Sequence, residues 1–270
     1  MKQIALDPLR RLGTWCARAG GLLTVLVLVK LTTAFSRQPS EKKLRTAATS
    51  PEAESRRATE ERTMRALIGR LSEVEGVEHV LTRFSDRCVR PYNGSVLENS
   101  RSPYVLRCGM NAVAYFGVRG DITDVLPRIH AARIAAWGPR GGDGPGASTT
   151  AGTVAYALEY HRARGRYPDD RLMPAPPLRG PGLRIDWDRP DLPIPNLIEE
   201  PSPEPGTGPA EIYRRTSSVP RAPLTVAAAR ARYGTVLAFT LGGSWNSTAE
   251  DYFTVPRGFK APRRGRPKGR

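Results

Sequence analysis

The sequence predicts an α+β fold: a small antiparallel sheet with helices on one face, preceded by one transmembrane helix. Three observations lead there. Residues 19–35 (AGGLLTVLVLVKLTTAF) form a long apolar run near the start of the 270-residue chain. Val77–Val89 and Tyr104–Val118 are rich in β-branched and aromatic residues and flank a turn-rich segment, so they read as two arms of a hairpin. The helical stretches around them come in an order that is not regular βαβ alternation, which favours an antiparallel sheet over a parallel one.

The apolar run spans about 25 Å as a helix, a little short of a ~30 Å hydrocarbon core. Lys30 lies near enough to its end to snorkel toward the headgroups, and Trp15 suits the opposite interface. A single-span anchor is the first reading, and a cleaved signal peptide with Thr32, Thr33 and Ala34 at its cleavage site is the second. Lys2, Arg10, Arg11 and Arg18 precede the run while Arg37, Lys42, Lys43 and Arg45 follow it. Counting positive charges therefore leaves orientation nearly balanced. A short N-terminus and a long C-terminal portion fit an N-in, C-out signal anchor, with the C-terminal domain extracytoplasmic.

Residues 36–50 are polar and basic and read as a tether. From Pro51 the pattern turns helical, with Glu52 and Glu54 in the first turn and Met64, Leu67, Ile68 and Leu71 at i, i+3, i+4, i+7. In the first hairpin arm Val80, Thr82 and Phe84 alternate, and each arm carries one cysteine. After Gly120, Asp121 or Thr123 caps a helix whose core face is Ile122, Val125, Leu126 and Ile129. Gly138–Gly146 reads as a loop. A helix capped by Thr150 follows, with Val154, Leu158 and His161 on one face, and Pro168 ends it. Leu183–Asp188 alternates as a half-buried strand: Leu183, Ile185 and Trp187 inward, Arg184, Asp186 and Asp188 outward. Val226–Tyr233 is an Ala/Arg helix ended by Gly234, and Thr235–Leu241 is a strand. The chain so divides into a basic segment at 1–18, the anchor at 19–35, the tether at 36–50 and an α+β domain at 51–188. A Pro-rich linker or wrap at 189–223, a helix–strand pair completing the domain at 224–255 and a basic tail at 256–270 follow.

The net charge is +16, and only six of the 42 basic residues are Lys. Such an excess points to an anionic partner (lipid headgroups, acidic wall polymer or nucleic acid) or to the composition of a high-GC genome, which raises Arg, Pro, Gly and Ala together. Of the three cysteines, Cys16 precedes the apolar run. Cys88 and Cys108 share a compartment, and a disulfide between them would require an oxidising one. Two buried thiols are the alternative.

Tyr115-Phe116-Gly117-Val118 with Asp121–Leu126, and Tyr156–Tyr160 running into Leu172–Pro176, are similar to stretches in uncharacterised single-span, membrane-anchored proteins of high-GC actinobacteria. The resemblance implies an anchored protein and transfers no activity. Arg264-Gly265-Arg266-Pro267 resembles the core of an AT-hook, in which a flat Arg-Gly-Arg segment enters a narrow A/T minor groove. That resemblance implies nucleic-acid binding by Arg264, Gly265, Arg266 and Pro267 wherever the tail reaches DNA, and an Arg/Gly/Pro tail is the plain alternative.

Other candidate chemistry is thin. Gly141–Gly146 is glycine-rich ahead of a helix but lacks the Gly-Lys-Ser/Thr ending of a phosphate cradle. Asp186 and Asp188, taken as outward neighbours, are the candidate acids of a hydrolase. His79, His130 and His161 fit no metal spacing, and His161 continues an apolar helix face. No cofactor and no catalytic residue is expected. The primary expectation is a membrane-anchored protein with an extracytoplasmic binding or scaffolding domain. A membrane-tethered nucleic-acid binder is the alternative, and a hydrolase the third reading.

Overall fold

The structure is a computed structural model that describes residues 39–92, 102–134, 153–176, 178–180, 183–201, 210–220, 224–242 and 251–258. The apolar run, Gly138–Gly146 and Arg264–Pro267 lie outside these residues. Among the described residues no helix is long and apolar enough to cross a membrane.

From Leu44 onward the chain forms an α+β unit built on an antiparallel sheet. In chain order the elements are α1 (Glu41–Ala48), α2 (Pro51–Ser72), β1 (Val77–Val89), β2 (Tyr104–Val118), α3 (Ile122–Ala131), α4 (Val154–Arg162), β3 (Leu178–Gly180), β4 (Leu183–Trp187), β5 (Glu211–Val219), α5 (Val226–Tyr233), β6 (Thr235–Leu241) and β7 (Asp251–Pro256). The strand order is β3-β4-β6-β2-β1-β5, with β7 also paired to β2. β6 and β7 lie end to end along one edge of β2. Thr235–Leu241 pairs with Val118–Ala112, and Asp251–Pro256 with Gly109–Tyr104. Seven strands thus fill six positions.

The alternation of β2 decides which residues meet the helices. Met110, Ala112, Ala114, Phe116 and Val118 point to one face, where Met64, Ile68 and Leu71 of α2, Val125, Leu126 and Ile129 of α3, and Val154 and Ala157 of α4 cover them. Ser50 caps α2 and Asp121 caps α3 through side-chain oxygens that accept from Ala53 N and Thr123 N, satisfying donors that a helix start leaves open. Pro127 is the sixth residue of α3, past the first turn, so the helix forgoes the bond its N–H would make to the Thr123 carbonyl.

Several expectations need correction. Helices do not keep to one face: Val226 and Ala229 of α5 pack with Tyr115, Val236 and Ala238, which point away from Ala114, Phe116, Leu237 and Phe239. The stretch read as a tether at 36–50 contains α1, whose Leu44, Ala47 and Ala48 bury a single short stripe. The Pro-rich segment at 189–223 contains β5, an edge strand that sends Ile212 into the core. β7 follows β6 as a further strand. The cap of α4 is Thr153 rather than Thr150, and its buried residues are Val154, Ala157 and Tyr160.

Candidate functional site

The end of the sheet where β1 finishes and β2 begins gathers the chemistry-bearing side chains. Hairpin register sets Cys88 directly opposite Cys108. Their sulfurs lie 2.06 Å apart, a disulfide, and both residues are fully buried. Around them pack Leu44, Ala47, Ala48 and Ala53 with Val105, Leu106, Ile212, Phe253 and Val255. The bond thus lies in apolar surroundings that keep solvent and soluble thiols away from its sulfurs.

Beside it lies a buried ion pair that alternation alone brings inward, since Phe84, Asp86 and Cys88 share a face. Arg57 of α2 donates from Nε to Asp86 Oδ2 and from Nη2 to the Ala48 carbonyl at 2.9 Å. Tyr252 donates its hydroxyl hydrogen to Asp86 Oδ1 at 2.7 Å. The guanidinium also lies over the Tyr213 ring, 4.5 Å from its centroid. One side chain thereby joins α1, α2, β1, β5 and β7. Side-chain exposure is only 6% for Arg57 and 3% for Asp86. Burial pushes the Asp86 carboxyl up, outweighing the bonds from Tyr252 and Arg57 that pull it down. Burial and the adjacent Asp86 charge push the Tyr252 hydroxyl up. Both carboxylate oxygens are engaged and both side chains are buried, so the chemistry of the cluster is that of a clamp.

On the opposite side of the same strands, Glu211 Oε2 accepts from Arg87 Nε at 2.9 Å and Arg214 Nη2 at 2.6 Å, while Arg107 pairs with Asp251 at 2.5 Å. These pairs tie β1 to β5 and β2 to β7. At this end of the sheet that face is polar, whereas further along it carries the apolar cluster beneath α5.

The two acids of the hydrolase reading are not a pair of solvated neighbours. Asp186 accepts from Arg184 Nη2 at 2.8 Å, Arg189 Nη1 at 2.6 Å and Trp187 N at 3.0 Å. Asp188 is buried, because β4 ends at Trp187 and the backbone turns away from strict alternation. It accepts from Ile198 N at 2.7 Å, Val236 N at 2.9 Å, and Arg230 Nε and Nη2 at 2.9 and 3.1 Å. Four donors saturate this carboxylate, which fastens the Pro-rich segment, α5 and β6 together.

His161 accepts at Nε2 from Trp187 Nε1 at 3.0 Å and stacks on the Trp187 ring. Burial and the nearby Arg189 hold it below the ordinary histidine range, consistent with the unprotonated acceptor that the bond requires. His79 shares a hydrogen bond with Thr82 Oγ1 at 2.7 Å and lies edge-on to Phe116, and burial lowers it too. Among the described residues no group of three or more His, Cys, Asp or Glu is placed to hold a metal ion. A shallow cleft of about 380 Å³ between the ends of α2 and α3 carries Arg70, Glu73, Glu75 and Arg128. Its arginines are spent on backbone: Arg70 Nη2 bonds the Ala132 and Arg133 carbonyls at 3.0 and 2.8 Å, capping α3.

Sequence reasoning passes over Arg57, Asp86, Tyr213 and Tyr252. Two signals for them are present. Arg57, Met64 and Leu71 recur at intervals of seven, which puts the arginine on the apolar stripe of α2, and Asp86 continues the inward series of Thr82 and Phe84. With this geometry in view, comparison with known proteins returns no matching family, no matching curated protein and no matching solved structure.

Proposed function

We propose that this chain is a membrane-anchored protein whose α+β unit acts outside the cytoplasm as a binding or scaffolding module. The observation that carries the reading is the buried Cys88–Cys108 pair, set in register across β1 and β2. Such a bond forms and persists in an oxidising compartment. The apolar run at 19–35 supplies the route there, as an N-in, C-out signal anchor. A module that binds or scaffolds fits side chains that are mostly spent on one another: Arg57 on Asp86, Arg230 on Asp188, Arg87 and Arg214 on Glu211.

A C-terminal fusion to a reporter enzyme that is active only after export tests this. The expected result is activity at the level of an exported control. A silent fusion with stable full-length protein would place the C-terminus in the cytoplasm. It would sink the export reading and favour the nucleic-acid reading of Arg264, Gly265, Arg266 and Pro267.

A further inference from the structure

The contact between α4 and β4 depends on one nitrogen lone pair. Trp187, the last residue of β4, is fully buried, and its indole Nε1 donates to His161 Nε2 at 3.0 Å. An indole N–H can only donate, so the bond exists only while His161 Nε2 carries no proton. The two rings also stack, with centroids 6.0 Å apart. His161 lies in the last turn of α4 and is half-buried, within reach of protons from solvent. α4 itself is nine residues long, and its buried stripe consists of Val154, Ala157 and Tyr160. A short helix held by one narrow stripe is the kind of element that opens locally at low cost.

The groups that face His161 divide by sign. From just beyond β4 comes Arg189, whose guanidinium lies over the Trp187 ring, 5.0 Å from its centroid, and whose Nη1 donates to Asp186 Oδ1 at 2.6 Å. From the start of α3 comes Asp121, whose Oδ1 accepts from Thr123 N and Oγ1 at 2.7 and 2.8 Å. On its own helix the neighbour is the Tyr160 ring, edge-on. Burial acts most strongly against an imidazolium here, Arg189 acts in the same direction, and Asp121 opposes them with less effect. The C-terminal turn of a helix favours a cation whether or not α4 touches β4, so it does not decide between the two arrangements.

We propose that His161 and Trp187 form an acid-sensitive latch that releases the C-terminal end of α4 from β4. When Nε2 takes a proton from solvent, the indole N–H loses its acceptor and meets a second N–H, and the imidazolium stands beside Arg189. Lifting the end of α4 hydrates the new charge and uncovers Trp187. β1 and β2, joined by the disulfide and clamped by Arg57 and Asp86, keep their pairing. The open arrangement, with His161 in water, binds the extra proton more readily than the closed one, so acid favours opening. The open-to-closed ratio should rise by up to about tenfold per pH unit below about pH 6.5, the ordinary histidine value, until the closed form is protonated too. The latch does not rest on the compartment or the anchor proposed above.

The test uses the full chain in detergent micelles, with amide hydrogen exchange read by peptide mass analysis between about pH 7.5 and about pH 5.5. After correction for the intrinsic exchange rate, protection across Val154–Arg162 should fall by up to about tenfold per pH unit below about 6.5, while Val77–Val89 keeps its protection. The indole ¹⁵N resonance of Trp187, assigned by its loss in Trp187→Phe, should move over the same range. His161→Gln supplies an amide oxygen that accepts the indole hydrogen and does not titrate, so it should flatten the slope at α4. Burial also holds His79 low, but that ring bonds Thr82 on β1, so His79→Gln should leave the α4 slope in place. Constant protection of α4 in the parent chain, or equal loss at Val77–Val89, would overturn the latch, and both are read without any variant. A slope that survives in His161→Gln, or one that disappears in His79→Gln, would overturn it as well.

Discussion

Arg57 shows how a single residue can fix the relation of many elements. A charge buried to this extent loses hydration worth several kcal/mol, and Asp86, the Ala48 carbonyl and the Tyr213 ring together must replace it. The balance is asymmetric: removing one partner leaves the other buried and unpaired. Arg57→Ala should therefore cost about 3–5 kcal/mol, and Asp86→Ala a comparable amount. Replacing both by apolar residues of similar size, Arg57→Met with Asp86→Leu, should recover part of that loss, because it removes the desolvated charges while leaving the Ala48 carbonyl and the Tyr252 hydroxyl without these partners. Urea denaturation followed through the fluorescence of buried Trp187 measures all three variants against the parent. If each single change costs only the ~0–1 kcal/mol of an exposed ion pair, the clamp has been misread.

At the scale of elements, α5 is the piece whose placement departs furthest from expectation, and Gly117 explains how it sits. An added Cβ at Gly117 would lie 2.1 Å from the Tyr233 ring at the end of α5. The absence of a side chain on this outer face of β2 is thus what lets α5 approach. Gly117→Ala should destabilise by about 1–3 kcal/mol through overpacking, and adding Tyr233→Ala should return part of the loss. Thermal denaturation of the two singles and the double provides the cycle, and strict additivity would rule out the close approach. No apolar stripe could have revealed this face, since VAAARARY offers only alanine and arginine beyond its first and last residues. The contrast with α3 is instructive. There Ile122, Val125, Leu126 and Ile129 form one face in the sequence, and all four are buried. Likewise β1 and β2 announce themselves through branched and aromatic residues. β5, an edge strand reading EIYRRTSSV, lacks the apolar alternation that marks a half-buried strand, and β7 has only six residues.

For the molecule as a whole, sequence periodicity reveals the elements that bury apolar stripes but not the contacts between charged ones. Alternation carried one residue past the end of β4 places Asp188 in solvent, whereas alternation within β1 points Asp86 inward. The Cys88–Cys108 bond acts at this largest scale, because among the described residues it joins β1 and β2, to which β5, β6 and β7 pair and on which α2 packs. A closed loop with a sequence separation of 20 restricts the unfolded chain and should contribute about 3 kcal/mol. For a unit of this size that amounts to a fall of about 6–12 °C in Tm on reduction. The reduced protein should match a Cys88→Ala, Cys108→Ala variant, and that variant should ignore reductant altogether. Calorimetry of the full chain with and without reductant provides the comparison, with mass measurement after thiol alkylation to establish that the bond has opened. An opened bond with an unchanged Tm would mean that the sheet gains nothing from it, and the case for an oxidising compartment would lose its physical basis. A fall of the expected size would give the compartment a thermodynamic consequence: the same chain retained among reductants would carry the helices and charge pairs described above on a weaker central pair of strands.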